Sequence, residues 1–301
     1  MITTALPGTT TFNHDLPGLS ANAVIYAYTT EKYFYPGHRT PYLFVTNYLN
    51  KGNYLLNGKH IQISDKCFYF LNEDDELEIN FSKAEPLQTL LILLTEKFVK
   101  ASLHCITSSH EKLLEAGDKN AHNDFKIPSV PFTLSKIVRD KISLVLQKTT
   151  GRDELEIILF DLISEFAILN NDTAKQLKKI NAVKRSTQQE LYKRLFLARE
   201  FINDNAFENL TISQTARQVC LDKFHFLSSF KRLFGITPHQ YLTEIKLQKA
   251  HYLLKDKQCS VSEVCFTVGF ESIGSFSNLF RKRFRVPPSA LLNKTKIPNF
   301  R

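Results

Sequence analysis

"DKFHFLSSFKRLFGITPHQYL", residues 222–242, places Lys and Arg around regularly spaced Phe residues and closes with Gly and then Pro. About fifty residues later the chain repeats the pattern as "ESIGSFSNLFRKRFRVPPSAL", residues 271–291. In both stretches, two Phe residues four positions apart would lie on one face of a helix, opposite a polar and basic face. These pairs are Phe226 with Phe230 and Phe276 with Phe280. Each stretch therefore predicts an amphipathic helix with a buried aromatic side.

The repeat extends upstream of each stretch. Thr211-Ile212-Ser213-Gln214 and Ser260-Val261-Ser262-Glu263 stand 49 residues apart. Both are capping boxes, in which a hydroxyl and a Gln or Glu side chain satisfy free amides at a helix start. Apolar positions match at the same offset, which becomes 50 after one residue is inserted in the turn. The matched pairs are Ile212 with Val261, Ala216 with Cys265, Val219 with Val268, Leu221 with Phe270, Phe226 with Phe276, Phe230 with Phe280 and Pro238 with Pro288.

Each unit of this duplication has the length of a helix-turn-helix motif. A short capped helix is followed by a turn of about four residues and a second helix, for which Asp222 and Ser272 are the expected caps. In this motif the second helix lies in the major groove of DNA, so we call the two second helices the first and second recognition helices. Between the units, Pro238 to about Lys255 predicts a linker helix of about 27 Å. That length suits two helices that contact successive major-groove faces, which are roughly 34 Å apart.

The distribution of charge agrees with a polyanionic partner for the second half of the chain. The 301 residues carry a formal net charge of +9, but residues 184–301 carry +11 and residues 1–183 carry −2. A basic half joined to a near-neutral half is typical of a protein with one nucleic-acid-binding domain. From charge alone, the alternative is a basic surface without such a partner.

Cysteine usage and hydropathy favour a soluble cytoplasmic protein. The five Cys residues are scattered, odd in number and mostly in apolar surroundings, which indicates reduced thiols rather than a disulfide framework or a zinc site. "MITTALPGTTTFNHDLPG" at the N-terminus has no basic region followed by an apolar run, so we expect no signal peptide. The longest apolar run, residues 90–94, is too short to cross a membrane.

The first half of the chain predicts β-structure followed by helices. Residues 23–94 contain short aromatic and β-branched runs, and the Asn57-Gly58 pair is a strong hairpin signal. This spacing suggests a small barrel or a double-sheet sandwich. Beyond residue 95 apolar residues recur with helical period, and residues 152–169 are apolar over a wide face. That face would pack on the domain's own strands or also meet a second subunit.

Residues 187–293 resemble the DNA-binding domain of the AraC/XylS family of bacterial transcription regulators. The resemblance rests on "ARQVCLDKFHFLSSFKRLFGITPHQYL", the linker helix "KLQKAHYLL" and above all "VGFESIGSFSNLFRKRF". It implies a two-lobed, all-helical domain that binds asymmetric sites in adjacent major grooves, and activation of transcription by contact with RNA polymerase. It places base-facing positions on Phe224, Leu227, Ser228, Ile273, Gly274, Ser275, Ser277 and Asn278. The basic residues expected to contact phosphates are Lys223, His225, Lys231, Arg232, Arg281 and Lys282.

The chain departs from the family pattern at several positions. Lys246 stands where many members have Arg in the linker helix, and Arg285 stands where a helix-ending Gly is common. The first recognition helix offers no Arg, Gln or Asn at its base-facing positions, so it lacks a bidentate reader. Phe224 is a candidate for a thymine methyl contact and Asn278 for adenine, with a solvent-facing role as the alternative for each.

The first half resembles the cupin-like effector domain often fused to this DNA-binding domain, by its strand rhythm and its G-x-Y-x-x-x-G hairpin. Cupin enzymes hold a metal with clustered His and a carboxylate, whereas His38, predicted before the second strand, and His60 in the hairpin are isolated here. We therefore expect no metal, no cofactor and no catalytic group. A small-molecule pocket inside the barrel remains an interpretation, with the same aromatics as plain core filling as the alternative. Its candidate lining residues are Tyr42, Phe44, Tyr54, Phe68 and Phe70.

Together these features predict an α+β protein, with a cupin-like β-barrel and helical extension at residues 1–170 and a linker at 171–186. Residues 187–301 would form the all-α domain with two helix-turn-helix units joined by a linker helix. The predicted function is a sequence-specific, effector-responsive transcription regulator whose partners are promoter DNA, RNA polymerase, a small-molecule effector and a second copy of the chain. The alternative is a cupin-type enzyme with an accessory nucleic-acid-binding domain. A third class, an RNA-binding protein, would need stacking aromatics arrayed on strands, which the sequence does not offer.

Overall fold

The computed structural model describes residues 2–8, 20–107, 127–147, 151–256 and 259–292. The chain divides into two compact units, Met1–Gln176 and Leu177–Arg301. More than half of the N-terminal stretch on which the expectation of no signal peptide rests, residue 1 and residues 9–18, lies outside the described ranges. Within those ranges, no helix has both the length and the apolar content that a bilayer crossing requires.

The first unit contains two antiparallel β-sheets with one parallel pair at an edge. The six-stranded sheet has the order β1-β2-β9-β4-β7-β10 and the four-stranded sheet has the order β3-β8-β5-β6. The strands are β1 Ile2–Thr3, β2 Ala23–Thr29, β3 Tyr33–Arg39, β4 Tyr42–Tyr48, β5 Gly52–Leu56, β6 Lys59–Ile63, β7 Cys67–Leu71, β8 Glu76–Phe81, β9 Leu87–Leu94 and β10 Phe132–Thr133.

The prediction of a barrel is corrected to a two-sheet sandwich, the other arrangement that the strand spacing suggested. In the described residues, hydrogen-bonded pairing stops at β1 and β10 in one sheet and at β3 and β6 in the other. Two of these edges are two-residue strands, and a third, β3, contains Pro36, which has no amide hydrogen to donate, and shifts register between Tyr35 and His38. Such edges do not continue a ladder, so the sheets stay separate. His38 precedes the strand predicted second, which is β4, but it lies within β3, a strand that was not predicted from the sequence.

The Asn57-Gly58 hairpin forms as predicted. Both residues have positive φ, 48° and 72°, and they join β5 to β6 with Leu56 opposite Lys59. The Asn57 side chain also donates to Asp75 and accepts a hydrogen bond from the Glu76 amide, which fixes the hairpin against the turn before β8.

Among the described residues, three helices follow the strands of the first unit: α1 Glu96–Thr107, α2 Lys136–Gln147 and α3 Arg152–Lys179, which runs on into the second unit. Helix α3 contains the predicted helix at 152–169 and continues for ten residues beyond it. Asn170, Thr173 and Leu177 are buried at helical spacing, so a partly polar stripe extends the apolar one. The predicted linker, residues 171–186, is accordingly helical up to Lys179 and again from Arg185.

The second unit is helical throughout its described ranges. Its helices are α4 Arg185–Asn205, α5 Ile212–Gln218, α6 Lys223–Phe234, α7 Pro238–Asp256, α8 Val261–Thr267, α9 Ile273–Phe284 and α10 Pro288–Leu292. Helices α6 and α9 are the first and second recognition helices, and α7 is the linker helix, at 19 residues. The predicted Phe pairs, Phe226 with Phe230 and Phe276 with Phe280, are completely buried. The chain is thus α+β, with a β-rich first unit and a helical second unit.

Candidate nucleic-acid interface

The two helix-turn-helix units share the same backbone hydrogen bonds. The amide of Leu221 donates to Ala216 O over 2.9 Å, and its counterpart Phe270 donates to Cys265 O over 3.0 Å. In both units the residue before this donor has positive φ, 52° at Cys220 and 78° at Gly269. The turns are four and five residues long, which places the predicted one-residue insertion in the second turn. The duplication seen in the sequence is therefore a duplication of backbone geometry.

All four predicted caps form. Thr211 and Ser260 each make a complete capping box, with the side chains of Gln214 and Glu263. Asp222 accepts hydrogen bonds from the amides of Phe224 and His225 at 2.8 and 3.2 Å, and Ser272 accepts one from Ser275. The backbone amides of His225 and Phe224 hold the pKa of the Asp222 carboxyl below its usual range, because they bind the charged form.

The recognition helices also end alike. Gly235 and Arg285 both adopt the left-handed conformation, with φ of 80° and 63°, and their amides donate to Lys231 O and Arg281 O. A glycine adopts this conformation without strain and an arginine does not. Arg285 therefore shows that the second unit keeps this C-cap geometry even where the residue type disfavours it.

The structure exposes six of the eight residues predicted to face DNA bases. On α6, Phe224 is 77% exposed and Ser228 is exposed, while Leu227 is half-buried. On α9, Ile273, Gly274, Ser275 and Asn278 are exposed and Ser277 is half-buried. The ring of Phe224 is thus open to water and free to contact a base methyl. The assignment of these eight residues to bases stays a prediction.

The residues predicted to contact phosphates are exposed as well: Lys223, His225, Lys231, Arg232, Arg281 and Lys282. Arg283 differs from its neighbours on α9. Its Nε lies 2.7 and 2.8 Å from the carboxylate oxygens of Glu244 on α7, so its charge is neutralised within the unit.

A second link between α7 and the second motif involves Lys246, whose Nζ donates to the carbonyl oxygen of Gly269 over 2.8 Å. Burial lowers the pKa of Lys246, partly offset by Glu271. A Cβ at Gly269 would lie 3.0 Å from this Nζ and 3.2 Å from the carbonyl oxygen of Phe207, which precedes the first motif. The linker helix, the second turn and the α4–α5 connection thus meet at one point. From the sequence, Lys246 was noted only as a Lys where many family members have Arg, and no hydrogen-bond partner was predicted for it.

In the first unit, the residues predicted to line a pocket lie on two sides of the six-stranded sheet. Phe44, Phe68 and Phe70 are buried on the face that packs against Phe166 of α3, with the Phe70 and Phe166 rings stacked at 4.2 Å, and Tyr42 is beside Phe70. Tyr54 lies between the sheets and donates to Asn47 Oδ1. The structure therefore does not bring the five residues into one cluster, and their role in ligand binding stays a prediction.

The two histidines considered as metal ligands have different surroundings. His38 contacts the carbonyl oxygen of Pro36 at 3.0 Å, and burial lowers the pKa of its ring, whereas His60 is exposed on β6. Across the described ranges, no three His, Cys, Asp or Glu side chains converge as a metal site would require.

Two helix-turn-helix motifs with exposed, basic recognition helices define a DNA-binding protein. The helix-turn-helix domain family matches residues 215–294. LcrF, a thermoregulatory protein of Yersinia pestis, is 26% identical over 258 residues, which are 83% of this chain and 92% of LcrF. VirF, a virulence regulon transcriptional activator of Yersinia enterocolitica, is 23% identical over 261 residues, with the same coverage of each chain.

Two solved structures also match the chain. A probable AraC family transcriptional regulator from Rhodopseudomonas palustris is 25% identical and covers 34% of this chain and 95% of its own, with a TM-score of 0.33. ToxT from Vibrio cholerae, solved with an unsaturated fatty acid bound, is 13% identical over 92% of this chain and 97% of its own, with a TM-score of 0.35. With these relatives and its helix-turn-helix domain, the chain is similar to the AraC/XylS family of bacterial transcription regulators, and the relatives named here are regulators rather than enzymes.

Proposed function

We propose that this regulator is an effector-responsive activator that contacts two adjacent major-groove segments of promoter DNA, one with each recognition helix. The observation that carries the proposal is the duplicated motif, in which α6 and α9 are capped at equivalent positions, follow turns closed by the same backbone hydrogen bond and have outward-facing polar surfaces. A linker helix of 19 residues is about 28 Å long, which suits two helices in successive grooves. The activator names of VirF and of RhaS from Escherichia coli, 31% identical over 95 residues, support activation rather than repression.

Within this proposal the eight base-facing residues give sequence preference and the six basic residues give affinity and register. Phe224 supplies an apolar contact to thymine, and Asn278 supplies the amide that pairs with adenine. Because the first recognition helix has no long polar side chain at a base-facing position, its motif is expected to be less sharply defined than that of the second.

The remainder of the chain would regulate this contact. We assign residues 1–170 to effector sensing and dimer formation, residues 171–186 to the connection and residues 187–301 to DNA binding, in a cytoplasmic protein. The β-rich unit is compatible with a cupin-like effector domain. The exposed Ile157 and Ile168 on α3 support a dimer contact on that helix.

The test is selection of bound duplexes from a random DNA pool by the full-length protein at fixed, near-physiological salt, because affinity without a stated salt concentration has no meaning for such proteins. Two unlike motifs about ten base pairs apart are expected. A single motif would contradict base contact by one recognition helix, and no enrichment would contradict sequence-specific binding.

Activation is tested separately with purified RNA polymerase on a promoter that contains the selected motifs. Transcript yield is expected to rise with the regulator present. The matched control is the same template with the motifs scrambled, and a fall in yield on the intact template would make the protein a repressor.

A further inference from the structure

The connection between α3 and α4, residues 180–184, lies beside the first recognition helix. Ile180 and Asn181 from this connection and Leu191 from α4 line a cavity of about 200 Å³ together with four residues of α6. Those four are His225, Ser228, Ser229 and Arg232. All belong to the second unit, so this proximity is a feature of the DNA-binding unit itself.

The part of α6 that faces the connection is one flank of the recognition helix. Phe226, Phe230 and Leu233 point into the core, and Phe224 points to solvent. His225, Ser229 and Arg232 are spaced i, i+4 and i+7, so they follow a single line along the helix between these two faces. A helix in the major groove, which is about 12 Å wide, has a sugar-phosphate backbone along each flank. The connection is therefore on the side where one DNA backbone would pass.

The connection is flanked by unopposed positive charge. Residues 173–189 contain five Lys or Arg and no Asp or Glu. Of these, Lys178, Lys179, Lys184 and Arg185 are exposed, and no ion pair within the described ranges involves them. The nearest acidic residues in sequence are already paired, Asp172 with Lys175 and Glu190 with Arg194. We call Lys178, Lys179, Lys184 and Arg185 the basic connection.

We propose that the basic connection binds consecutive phosphates of one DNA strand beside the first recognition helix, continuing the surface formed by His225 and Arg232. The inference rests on the proposed function and extends it to residues outside both helix-turn-helix motifs. It would give affinity to the first motif, which lacks a bidentate base contact, because phosphate contacts supply affinity independent of sequence. The alternative is a hydrated basic surface that does not touch DNA.

The test compares the full-length protein with the variant K178A/K179A/K184A/R185A on a selected duplex and on a duplex of random sequence. All four side chains are exposed, and Lys184, the N-cap of α4, makes no side-chain capping hydrogen bond, so the fold is retained. The slope of log affinity against log salt should become shallower by about 3 to 4, and affinity at 0.15 M salt should fall roughly 10- to 100-fold on both duplexes. Hydroxyl-radical protection should be lost on one strand beside the first half-site.

The matched control is K32A/K51A/K59A/K97A, which removes the same charge from exposed positions of the first unit. It should leave slope and protection as in the parent protein. If the parent prefers the selected duplex and the basic-connection variant keeps its slope, the inference is overturned and the proposed function stands. If the parent shows no sequence preference and the variant still lowers the slope, the inference stands and the proposed function fails. A parent protein that binds neither duplex overturns both.

Discussion

Arg283 on the second recognition helix forms a two-oxygen ion pair with Glu244 on the linker helix, at 2.7 and 2.8 Å. Arg281 and Lys282, its immediate neighbours, are exposed without such a partner among the described ion pairs. Of three adjacent basic residues on this helix, Arg281 and Lys282 thus face outward, whereas Arg283 fixes the helix to the linker helix.

This division predicts different effects of removing each charge. Arg281→Ala should make the salt dependence of DNA binding shallower by about one unit and weaken binding to all sequences alike. Arg283→Ala, the matched variant, should leave that slope unchanged. Equal slope changes in titrations of the two variants would show that the ion pair opens in the complex.

Asn278 is expected to act on sequence preference rather than on overall affinity. Asn278→Ala should remove the preference at one base pair, with a cost there of about 1 to 3 kcal/mol, and leave neighbouring positions as they are. Selection from a random pool with parent and variant measures this directly. A uniform loss of affinity for every duplex would instead place Asn278 against the backbone.

The capping hydroxyls of the two motifs should contribute equally to stability. Thr211→Ala and Ser260→Ala should each lower the free energy of unfolding by about 1 kcal/mol, because each leaves an amide at a helix start unsatisfied. Ser262→Ala, an exposed serine inside the second box that is not its cap, should change stability by less than about 0.5 kcal/mol. Urea titration of the three variants is the measurement, and a cost at Ser262 equal to that at Ser260 would refute the capping role.

The hydrogen bond from Lys246 to Gly269 should matter for how the two motifs act together. Lys246→Met leaves that partly buried carbonyl without its donor and should cost about 1 to 3 kcal/mol of unfolding free energy. It should also weaken binding to duplexes that carry both selected DNA half-sites more than binding to duplexes that carry one. Lys246→Arg should restore much of both, and the exposed Lys249→Met should alter neither. Equal losses on one-motif and two-motif duplexes would contradict a positioning role for Lys246.

Stability should fall in mildly acidic solution because of His251. Its ring stacks on Phe284 with centroids 4.4 Å apart, and burial, with Lys255 and Arg283 nearby, lowers the pKa of the imidazole. The unfolded chain therefore binds this proton more readily than the folded one. The contribution of the neutral ring is complete above the ordinary histidine pKa of about 6.5 and is lost as the pH falls toward the lowered value. His251→Phe should lose less melting temperature between pH 7 and pH 5 than the parent, and an identical loss would contradict this origin.

The sequence predicted those parts of the interface that depend on neighbouring residues. The boxes at Thr211 and Ser260, the caps at Asp222 and Ser272 and the turn insertion are local, since each involves residues within a few positions of one another. The pairs Glu244 with Arg283 and Lys246 with Gly269 join residues 39 and 23 positions apart, and no short motif marks such contacts.

The first unit shows the same limit. Strand alternation predicted the strands but not whether the two sheets would close, because closure depends on the edges β1, β3, β6 and β10. The end of α3 escaped prediction because Asn170 and Thr173, which carry its buried stripe, are polar. Burial of such residues depends on packing partners that are distant in sequence.

The residues that build each recognition helix are separate from those that face outward. Asp222 and Ser272 start these helices, the buried Phe pairs anchor them, and Gly235 and Arg285 end them. The side chains of Phe224 and Asn278 take no part in any of this. Substitutions on the outward faces can therefore accumulate without loss of the fold, and they can do so in one copy of the motif at a time. The DNA sequence that the protein recognises can therefore change one half-site at a time, because one recognition helix can keep its half-site while the other acquires a new one.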